Sequence, residues 1–279
     1  RRGYEAELLH YDEKMLPALL SDRPDIVFLC VQGKYHGDGT LQAILDFLRI
    51  PYTGSTAAAA SRINDKTLCK MIFAHNGQST PPWYTLSRGE WESRSADFGA
   101  VGYPFVAKAP SQGGSFGISL IRSPEELGKL EEIFQYDDPL LCEGFVDGRA
   151  YTVGLLETDG NVQALPCVEM LDKRIDREDG MILMTGDYSA CAAELPTAVT
   201  EKMQALAVAI FRELQARDYA RVDFMVDGRT GEVQVLEINA VPGLKPTSLY
   251  PMEAALVPMD YDDLIEHILL NAARREKLC

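Results

Sequence analysis

The segment ARVDFMVDGRTGEVQVLEINAVPGLKPTSLYPM spans residues 220–252 and carries the strongest structural pattern in this chain. Two parts of it, 221–226 and 233–239, alternate between apolar and polar residues. The intervening residues 227–231, Asp-Gly-Arg-Thr-Gly, have the composition of a tight turn. Alternation on both sides of such a turn predicts a β-hairpin.

Four polar residues of this hairpin are predicted to come together. Side chains alternate along a strand, so Arg221 and Asp223 share one face, and Glu237 and Asn239 share a face about 6.8 Å apart. Such a cluster is unfavourable inside a sheet unless it binds something. Two carboxylates and an amide oxygen suit Mg²⁺ or Mn²⁺, while Arg221 would face an anion or a developing oxyanion. A solvated polar face is the other interpretation, and periodicity alone does not decide between the two.

Short motifs within this segment resemble those of a known protein family. RVDF at 221–224, LEIN at 236–239, VPG at 241–243 and TSLYP at 247–251 resemble the C-terminal core of the D-alanine–D-alanine ligases, which are ATP-grasp carboxylate–amine ligases. The resemblance extends from about Gly33 to the C-terminal helix. It implies an α/β (α+β) chain with the ATP-grasp fold. It also implies three parts: a partial N-terminal α/β (pre-ATP-grasp) domain at 1–55, a central lobe with a glycine-rich lid at 56–143, and a C-terminal lobe with the metal and acceptor sites at 144–279.

Charge and composition limit the partners of the protein. The 279 residues include 42 Asp and Glu against 27 Lys and Arg, for a net charge of -15. This balance argues against duplex nucleic acid or an anionic membrane as a partner. No apolar run approaches the roughly 20 residues of a membrane span, and no signal peptide is recognisable. We therefore expect a cytoplasmic protein with small-molecule substrates.

Cysteine and histidine usage predicts no disulfide framework and no site built on these residues. The six cysteines form no CxxC pair, and Cys30, Cys69 and Cys142 lie within apolar runs. We expect them to be reduced core residues. The four histidines are isolated and have no metal-ligand spacing.

Several segments give clear predictions of secondary structure. The apolar run 24–31 has the pattern of a parallel strand buried on both faces. Residues 57–76 predict a helix whose second part Asn64 or Asp65 can cap. Ser-Pro-Glu-Glu at 123–126 predicts a helix start with a capping box. Further helices are expected at about 200–216 and 260–273.

A lysine and a glycine-rich loop suggest a phosphate site. Lys108 ends the apolar segment 103–108, and Ser-Gln-Gly-Gly-Ser-Phe-Gly follows at 111–117. The loop has neither Walker A nor Rossmann spacing, so the signal is weak by itself. The resemblance implies that Lys108 contacts the α- and β-phosphates of ATP, and that Ser115 holds the γ-phosphate and takes part in catalysis. It also implies that Lys66 reaches the phosphates, although an exposed helix lysine is the alternative.

The resemblance implies further roles around the nucleotide and the substrates. Glu143 would accept the adenine amino group, the backbone near Val146 would add contacts, and Phe145 would pack on the ring unless it is a core residue. The remaining nucleotide contacts would be Phe224 and Leu236. The acceptor amino acid would bind to Arg221, Gly243, Ser248 and Leu249.

The implied reaction is a ligation for peptidoglycan precursor synthesis. ATP phosphorylates one carboxylate to give an acyl phosphate. Two Mg²⁺ (or Mn²⁺) ions on Asp223, Glu237 and Asn239 neutralise charge, and Arg221 stabilises the oxyanion as an amine attacks. Family members are commonly homodimers.

The sequence departs from the family pattern on the side of the first substrate. The differences are Gln32 and Gly37 in the N-terminal loop, Gly114 in the lid, Ala150 at the ribose position, and a loop tyrosine that cannot be placed in 172–189. The first substrate therefore stays open. The alternatives to D-alanine–D-alanine ligation are a D-alanine–D-serine, D-alanine–D-lactate or other amino-acid ligase of the same fold, and a non-catalytic ATP-binding homologue.

Overall fold

The computed structural model of this protein describes residues 2–31, 33–114, 116–171, 175–176, 182–183 and 189–278. These residues form two larger antiparallel sheets, a third sheet of only two short strands, and several helices. The α-helices are α1 (Met15–Ser21), α2 (Thr40–Leu48), α3 (Ala57–Asn64), α4 (Lys66–His75), α5 (Arg88–Glu92), α6 (Leu130–Ile133), α7 (Thr197–Glu213), α8 (Leu249–Ala254) and α9 (Tyr261–Arg275).

The strands lie in the segments between these helices. They are β1 (Trp83–Leu86), β2 (Phe105–Lys108), β3 (Ile118–Ile121), β4 (Leu140–Gly144), β5 (Gly148–Thr158), β6 (Asn161–Ala164), β7 (Val168–Leu171), β8 (Ile175–Asp176), β9 (Ile182–Leu183), β10 (Ser189–Ala192), β11 (Tyr219–Asp227) and β12 (Val233–Asn239). Short 3₁₀ helices cover Phe98–Ala100 and Pro124–Lys129.

The smaller sheet has the order β1-β4-β2-β3. Its strand β2 ends at Lys108, the lysine that is expected to contact the phosphates. Its buried side chains, among them Phe105, Ala107, Leu140 and Cys142, pack with α6 in one apolar cluster. Strand β4 is buried along its whole length, because it has neighbours on both sides and helices over one face. Glu143 and Lys108 therefore lie inside the molecule although both are charged.

The larger sheet has the order β10-β7-β5-β11-β12, with β6 paired to β5. One face of it packs under α7, where Met203 and Ile210 meet Val222 and Val235. The predicted hairpin is confirmed, with β11 and β12 on either side of the turn at 227–231. The opposite face of the same strands carries the polar residues that alternate with this core.

A β-bulge interrupts the hairpin directly beside these polar residues. Asp223 pairs with Glu237, but the next residue, Phe224, pairs with Val235, so Leu236 is an extra residue in β12. A bulge bends its strand and increases the local twist. Both Val235 and Ile238 can then face the core while Glu237 stays on the polar face.

The predicted strand at 24–31 is not a regular strand in this structure. Val27 forms a single parallel bridge with Tyr52, through Val27 N–H to Pro51 O (2.8 Å) and Thr53 N–H to Val27 O (3.0 Å). The apolar residues of the run instead join a small cluster with α1 and α2. The prediction for Cys30 was also wrong: its side chain is exposed, whereas Cys69 and Cys142 are buried as expected.

The helical segment at 57–76 is confirmed but divided into α3 and α4. Asp65 lies between them and accepts a hydrogen bond from Leu68 N–H (3.0 Å), so the N-cap is Asp65 and not Asn64. The capping box at 123–126 was wrong. Ser123 bonds the side chain of Glu125, Glu126 accepts from Arg122 N–H (2.9 Å), and the segment is a 3₁₀ helix. The helices near 200–216 and 260–273 are confirmed as α7 and α9.

A buried aspartate joins the N-terminal part of the chain to the larger sheet and the last helix. Asp218 precedes β11 and accepts hydrogen bonds from Gly54 N–H (2.6 Å) and Asn271 Nδ2 (2.9 Å). It also forms an ion pair with Arg275, which in turn donates to Tyr52 O (2.9 Å). Among the described residues, no helix is long and apolar enough to cross a membrane.

Candidate active site

The hairpin brings its four polar residues into two facing pairs. Arg221 lies opposite Asn239, and Asp223 lies opposite Glu237. Arg221 binds Asp223 in a bidentate manner, through Nε to Oδ1 (2.8 Å) and Nη2 to Oδ2 (2.7 Å). Burial alone would lower the pKa of Arg221, but the attraction of Asp223 outweighs it and raises the pKa. The guanidinium is thus a fixed positive charge on this face of the sheet.

Asp223 is the centre of this polar cluster. Besides Arg221, it accepts hydrogen bonds from Thr152 Oγ1 (2.7 Å) and Asn239 Nδ2 (3.2 Å). Thr152 lies directly opposite it on β5, so the three strands β5, β11 and β12 each contribute one residue. These bonds satisfy both oxygens of a nearly buried carboxylate and fix its position.

Glu237 faces the cations of the neighbouring elements. Its carboxylate lies 3.5 Å from Lys66 Nζ, and its side chain is 30% exposed. Partial burial works to raise the pKa of Glu237, but Lys66, Lys108 and Arg221 together lower it. Lys66 also donates to the carbonyl of Gln112 (2.8 Å), which ties the glycine-rich loop to the same place.

A buried triad of charges lies between the two sheets. Glu143 forms ion pairs with Lys70 on one oxygen and Lys108 on the other. Burial works to raise the pKa of Glu143, but the two ammonium groups outweigh it and lower the pKa to about 2. Burial lowers the pKa of Lys70, whose ammonium is further held by Thr80 Oγ1 (2.5 Å). Lys108 keeps a raised pKa despite its burial, because Glu143 and Glu237 attract its charge.

An open cleft lies between the N-terminal loop, the glycine-rich loop and the end of the hairpin, and it contains about 440 Å³ of empty space. Lys66 and Asn239 line it from the helix and the hairpin, 112–114 from the glycine-rich loop, and Gly33 and Gly37 from the N-terminal loop. Asp137 holds the last two loops together, since it accepts from Lys34 Nζ (2.9 Å) and from Ser111 N–H (2.7 Å). The cleft is thus bordered by all three predicted parts of the chain.

The donor set of the hairpin fits a hard divalent cation in its chemistry. Asp223, Glu237 and Asn239 provide oxygen ligands of the kind that Mg²⁺ and Mn²⁺ prefer. The described residues contain no group of three or more His, Cys, Asp and Glu that could form a metal cage by itself. Mg²⁺ usually takes one or two carboxylates and completes its shell with water and phosphate oxygens, so two carboxylates suffice.

The other predicted nucleotide residues divide into two groups. Phe145 is 39% exposed after β4, and Val146 follows it, so both lie at the surface beside the triad. Leu236 is half-buried at the bulge, on the polar side of the hairpin. Phe224, in contrast, is fully buried (0% exposed) in the cluster under α7, so the structure places it in the core and not at the cleft.

The predicted acceptor residues lie together after the hairpin. A Cβ atom added at Gly243 would lie 2.9 Å from Ser248 Oγ, so the two residues are in close contact. Ser248 precedes α8 and Leu249 begins it. Ser115 and Gln32 lie outside the described residues, as does most of 172–189.

Three residues of the site were not predicted from the sequence. Thr152 and Lys70 carry recoverable signals: Thr152 alternates with the apolar residues of its strand, and Lys70 lies one helical turn after Lys66. Glu253 carries no such signal. It is fully buried on α8, and burial raises its pKa well above the usual range although Arg221 opposes this shift.

Comparisons with known proteins agree with this geometry. A family model described as "D-ala D-ala ligase C-terminus" matches residues 72–270. The D-alanine–D-alanine ligase of Geobacter sulfurreducens is 34% identical, over 99% of this chain and 86% of its own length. That of Pelotomaculum thermopropionicum is 33% identical, over 96% and 86%.

Solved structures give the same result. The Bacillus anthracis D-alanine–D-alanine ligase complexed with ATP superposes with a TM-score of 0.79 at 28% identity, covering 96% of this chain and 86% of that one. The Coxiella burnetii D-alanine–D-alanine ligase has a TM-score of 0.76 at 26% identity, covering 91% and 69%. These matches confirm the predicted α/β fold class of the ATP-grasp type.

Proposed function

Because this chain belongs to the D-alanine–D-alanine ligase family, we propose that it joins two molecules of D-alanine in an ATP-dependent ligation through an acyl phosphate. The observation that carries the proposal is the facing arrangement of Arg221, Asp223, Glu237 and Asn239. This cluster borders a cleft where Lys66 meets the glycine-rich loop. Anions and a developing oxyanion are the species that such a set of charges can stabilise.

The nucleotide would bind across the cleft with its phosphates toward the hairpin. Lys66 and Lys108 would position the phosphates, and Ser115 with the loop N–H groups would hold the γ-phosphate. At the other end Glu143, Phe145 and Val146 would receive the adenine, with Leu236 beside them. Glu143 forms ion pairs with Lys70 and Lys108. The carboxylate proposed to bind adenine would therefore also position a lysine proposed to bind the phosphates.

Asp223, Glu237 and Asn239 would hold two Mg²⁺ or Mn²⁺ ions, which neutralise charge on the transferring phosphoryl group when bound. Arg221 would then stabilise the oxyanion that forms when the amine of the acceptor attacks the acyl phosphate. Gly243, Ser248 and Leu249 would hold the carboxylate of this acceptor. No protein nucleophile is required, because phosphate is the leaving group.

The wider assignments rest on the same family membership. We infer that the three parts at 1–55, 56–143 and 144–279 form a partial N-terminal domain and two ATP-grasp lobes around the cleft. The dipeptide product would enter peptidoglycan precursor synthesis in the cytoplasm, and a homodimer is the expected assembly. The next candidate is a ligase of the same fold that joins other substrates, such as D-alanine with D-serine or D-lactate, or another amino-acid pair. Gln32, Gly37 and Gly114 depart from the family pattern near the first substrate and leave the identity of that substrate open.

The test is ATP-dependent phosphate release by the protein with Mg²⁺, alone and with single D- and L-amino acids. Strong stimulation by D-alanine, with the dipeptide identified by mass spectrometry, is the expected result. Stimulation by another acid alone would keep the reaction class and change the substrate. ATP binding without release of phosphate under any of these conditions would support the non-catalytic alternative and contradict the proposal.

A further inference from the structure

A buried acid on α8 lies behind the polar cluster of the hairpin and has no place in the reaction proposed above. The side chain of Glu253 is fully buried. Both of its carboxyl oxygens are shielded from solvent, and neither accepts a hydrogen bond of ordinary geometry from the part of the chain that the structure describes. Buried polar groups in folded proteins are almost always paired, so this exception requires a reason.

The backbone of β5 places this carboxyl on the side of the sheet that carries Arg221. A Cβ atom added at Gly154 would lie 2.5 Å from Oε2 of Glu253, so the carboxyl rests where only a glycine leaves room for it. Gly154 is the direct cross-strand partner of Arg221, just as Thr152 is the partner of Asp223. Cross-strand partners share a face of the sheet. Glu253 therefore approaches the same face from which Arg221 projects.

Arg221 has hydrogen-bond donors to spare. Its Nε and Nη2 bind Asp223, and Nη1 donates to no acceptor among the described residues. A guanidinium carries five N–H groups. Thr152, whose hydroxyl donates to Asp223, and the backbone N–H of Gly154 also lie beside Glu253 and favour its charged form, but less than Arg221 does. Of the groups around Glu253, Arg221 is the one that most favours its charged form.

We propose that Glu253 is a positioning residue for Arg221, a second carboxyl that the guanidinium uses besides Asp223. It ties α8 to β11 and so fixes Arg221 relative to Ser248 and Leu249 at the start of the same helix. A carboxylate offers two acceptor oxygens to a guanidinium, whereas the amide of a glutamine offers one oxygen and an NH₂ group that cannot accept. The inference rests on the proposed function, in which Arg221 stabilises the oxyanion and Asp223 binds a metal ion in addition to Arg221.

The kinetic test compares Glu253→Gln and Glu253→Met with the wild-type protein. We expect kcat to fall about tenfold or more and the KM of the acceptor D-alanine to rise, because a small displacement of a positioned group is costly in rate. ATP affinity by calorimetry should stay within about twofold. The control is Gln42→Met on α2, a second buried side chain with an unpaired oxygen, which should leave all three quantities unchanged. Wild-type kcat and acceptor KM in both folded Glu253 variants would overturn the proposal.

A second measurement needs no activity. Thermal unfolding of Glu253→Met, Arg221→Met and the double variant forms a cycle. We expect the Tm effect of Glu253→Met to differ by about 2 °C or more between the wild-type and Arg221→Met backgrounds. Equal effects would overturn the link whatever the kinetics, and Glu253→Gln replaces Glu253→Met if the latter does not fold. A wild-type protein without amino-acid-dependent phosphate release would contradict the proposed function while leaving this cycle to decide the link between the two residues.

Discussion

The carboxylate of Asp223 has two roles, one in the hydrogen bonding of the polar cluster and one in the proposed binding of a metal ion. Its oxygens hold Arg221 and accept from Thr152 and Asn239, and the proposed chemistry needs the same oxygens for a metal ion. Part of this hydrogen bonding must then be exchanged when a metal binds. Because Thr152 and Asn239 are on the flanking strands, the carboxylate can change partners without moving the backbone of β11.

Replacement of the carboxylates proposed to bind metal should lower activity more than stability. We expect Asp223→Asn and Glu237→Gln to lower kcat by about 10²-fold or more, since each removes charge from the proposed metal site. The Tm of Glu237→Gln should change little, because its ion pair with Lys66 is partly exposed. Asp223→Asn should still fold but with a lower Tm, because it loses the buried ion pair with Arg221. Glu201→Gln, on the exposed side of α7, is the control and should keep full activity. Wild-type kcat in either site variant would contradict the metal assignment.

Arg221→Met tests the oxyanion role separately from nucleotide binding. The proposed nucleotide residues are Lys66, Lys108 and Glu143, none of which hydrogen-bonds Arg221, so ATP affinity should stay within about twofold. Dipeptide formation should be lost, because no other described cation pairs with Asp223 on this face. Parallel calorimetry and product analysis measure both quantities. If ligation survives in the folded variant, Arg221 is structural.

The Glu143 triad should give a defined pH dependence of stability. Its pKa of about 2 lies below the ordinary 4.5, so the unfolded chain takes up this proton first as the pH falls. The stabilisation is complete above about 4.5 and is lost between about 4.5 and about 2. We expect Glu143→Gln to be destabilised by about 3–5 kcal/mol at pH 7, because two ammonium groups lose their partner.

The difference from the wild-type protein should therefore shrink as the pH is lowered toward 2. Urea denaturation at a series of pH values between 7 and 3 measures this trend. Glu132→Gln, an exposed position on α6, serves as the control and should change stability little at any pH. A difference for Glu143→Gln that stays constant over the whole series would contradict the assignment.

Single residues of the site differ in how far the sequence could predict them. Arg221, Asp223, Glu237 and Asn239 could be placed on one face, because strand alternation is a local rule and the turn fixes the pairing. Glu253 could not, because nothing near it in the chain shows that Gly154 leaves space for a carboxyl. Phe224 was assigned to the nucleotide from resemblance, but the alternation of β11 turns it toward α7.

At the level of elements, predictions held where a segment has its partners nearby in the chain. The hairpin of β11 and β12 and the long helices α7 and α9 follow from turn composition and helical periodicity alone. The run 24–31 is equally apolar, yet it forms only one bridge, because a strand needs hydrogen-bonded neighbours along its length. The capping box failed at 123–126 because the Ser123 hydroxyl is oriented toward Glu125, and the Glu126 carboxylate accepts from Arg122 N–H and not from Ser123 N–H.

The entry to α2 depends on one glycine. Gly39 has φ +97°, and a Cβ atom there would lie 2.3 Å from Ala57 O at the start of α3. We expect Gly39→Ala to be destabilised by about 1–3 kcal/mol or more, from backbone strain and the clash with a main-chain atom. Gly128→Ala is the control, since a Cβ there meets nothing within 4 Å, and it should stay within about 0.5 kcal/mol of the wild type. Equal urea midpoints for the two variants would contradict this account.

At the scale of the whole molecule, Asp218 joins parts that are far apart in sequence. Its carboxylate binds Gly54, Asn271 and Arg275, and so links the N-terminal region, β11 and α9 at one buried point. These partners could not be predicted from the sequence, because they depend on how the separate layers pack. The cleft is formed by the same packing, so its geometry depends on this junction.

Removal of the charge at Asp218 should weaken the whole fold. We expect Asp218→Asn to lose about 3 kcal/mol of unfolding free energy, because the buried ion pair with Arg275 is broken. Asparagine tolerates the left-handed backbone (φ 64°), so backbone strain is not added. Asp159→Asn is a matched control, with φ 48° and an exposed pair to Arg274, and should change stability by less than about 1 kcal/mol. Urea unfolding of both variants measures the loss of unfolding free energy in each. Equal losses would contradict a stabilising role of the buried ion pair of Asp218.

A side chain at position 154 would occupy the space that Glu253 fills, so substitutions at the two positions should depend on each other. A Cβ atom at 154 would lie 2.5 Å from Glu253 Oε2 and 2.8 Å from Leu165 Cδ1, so the two positions cannot both carry large side chains. They should behave as a suppressor pair. In a library with both codons randomised, and a reporter that selects for folded protein and not for activity, a larger residue at 154 should survive only beside a smaller one at 253.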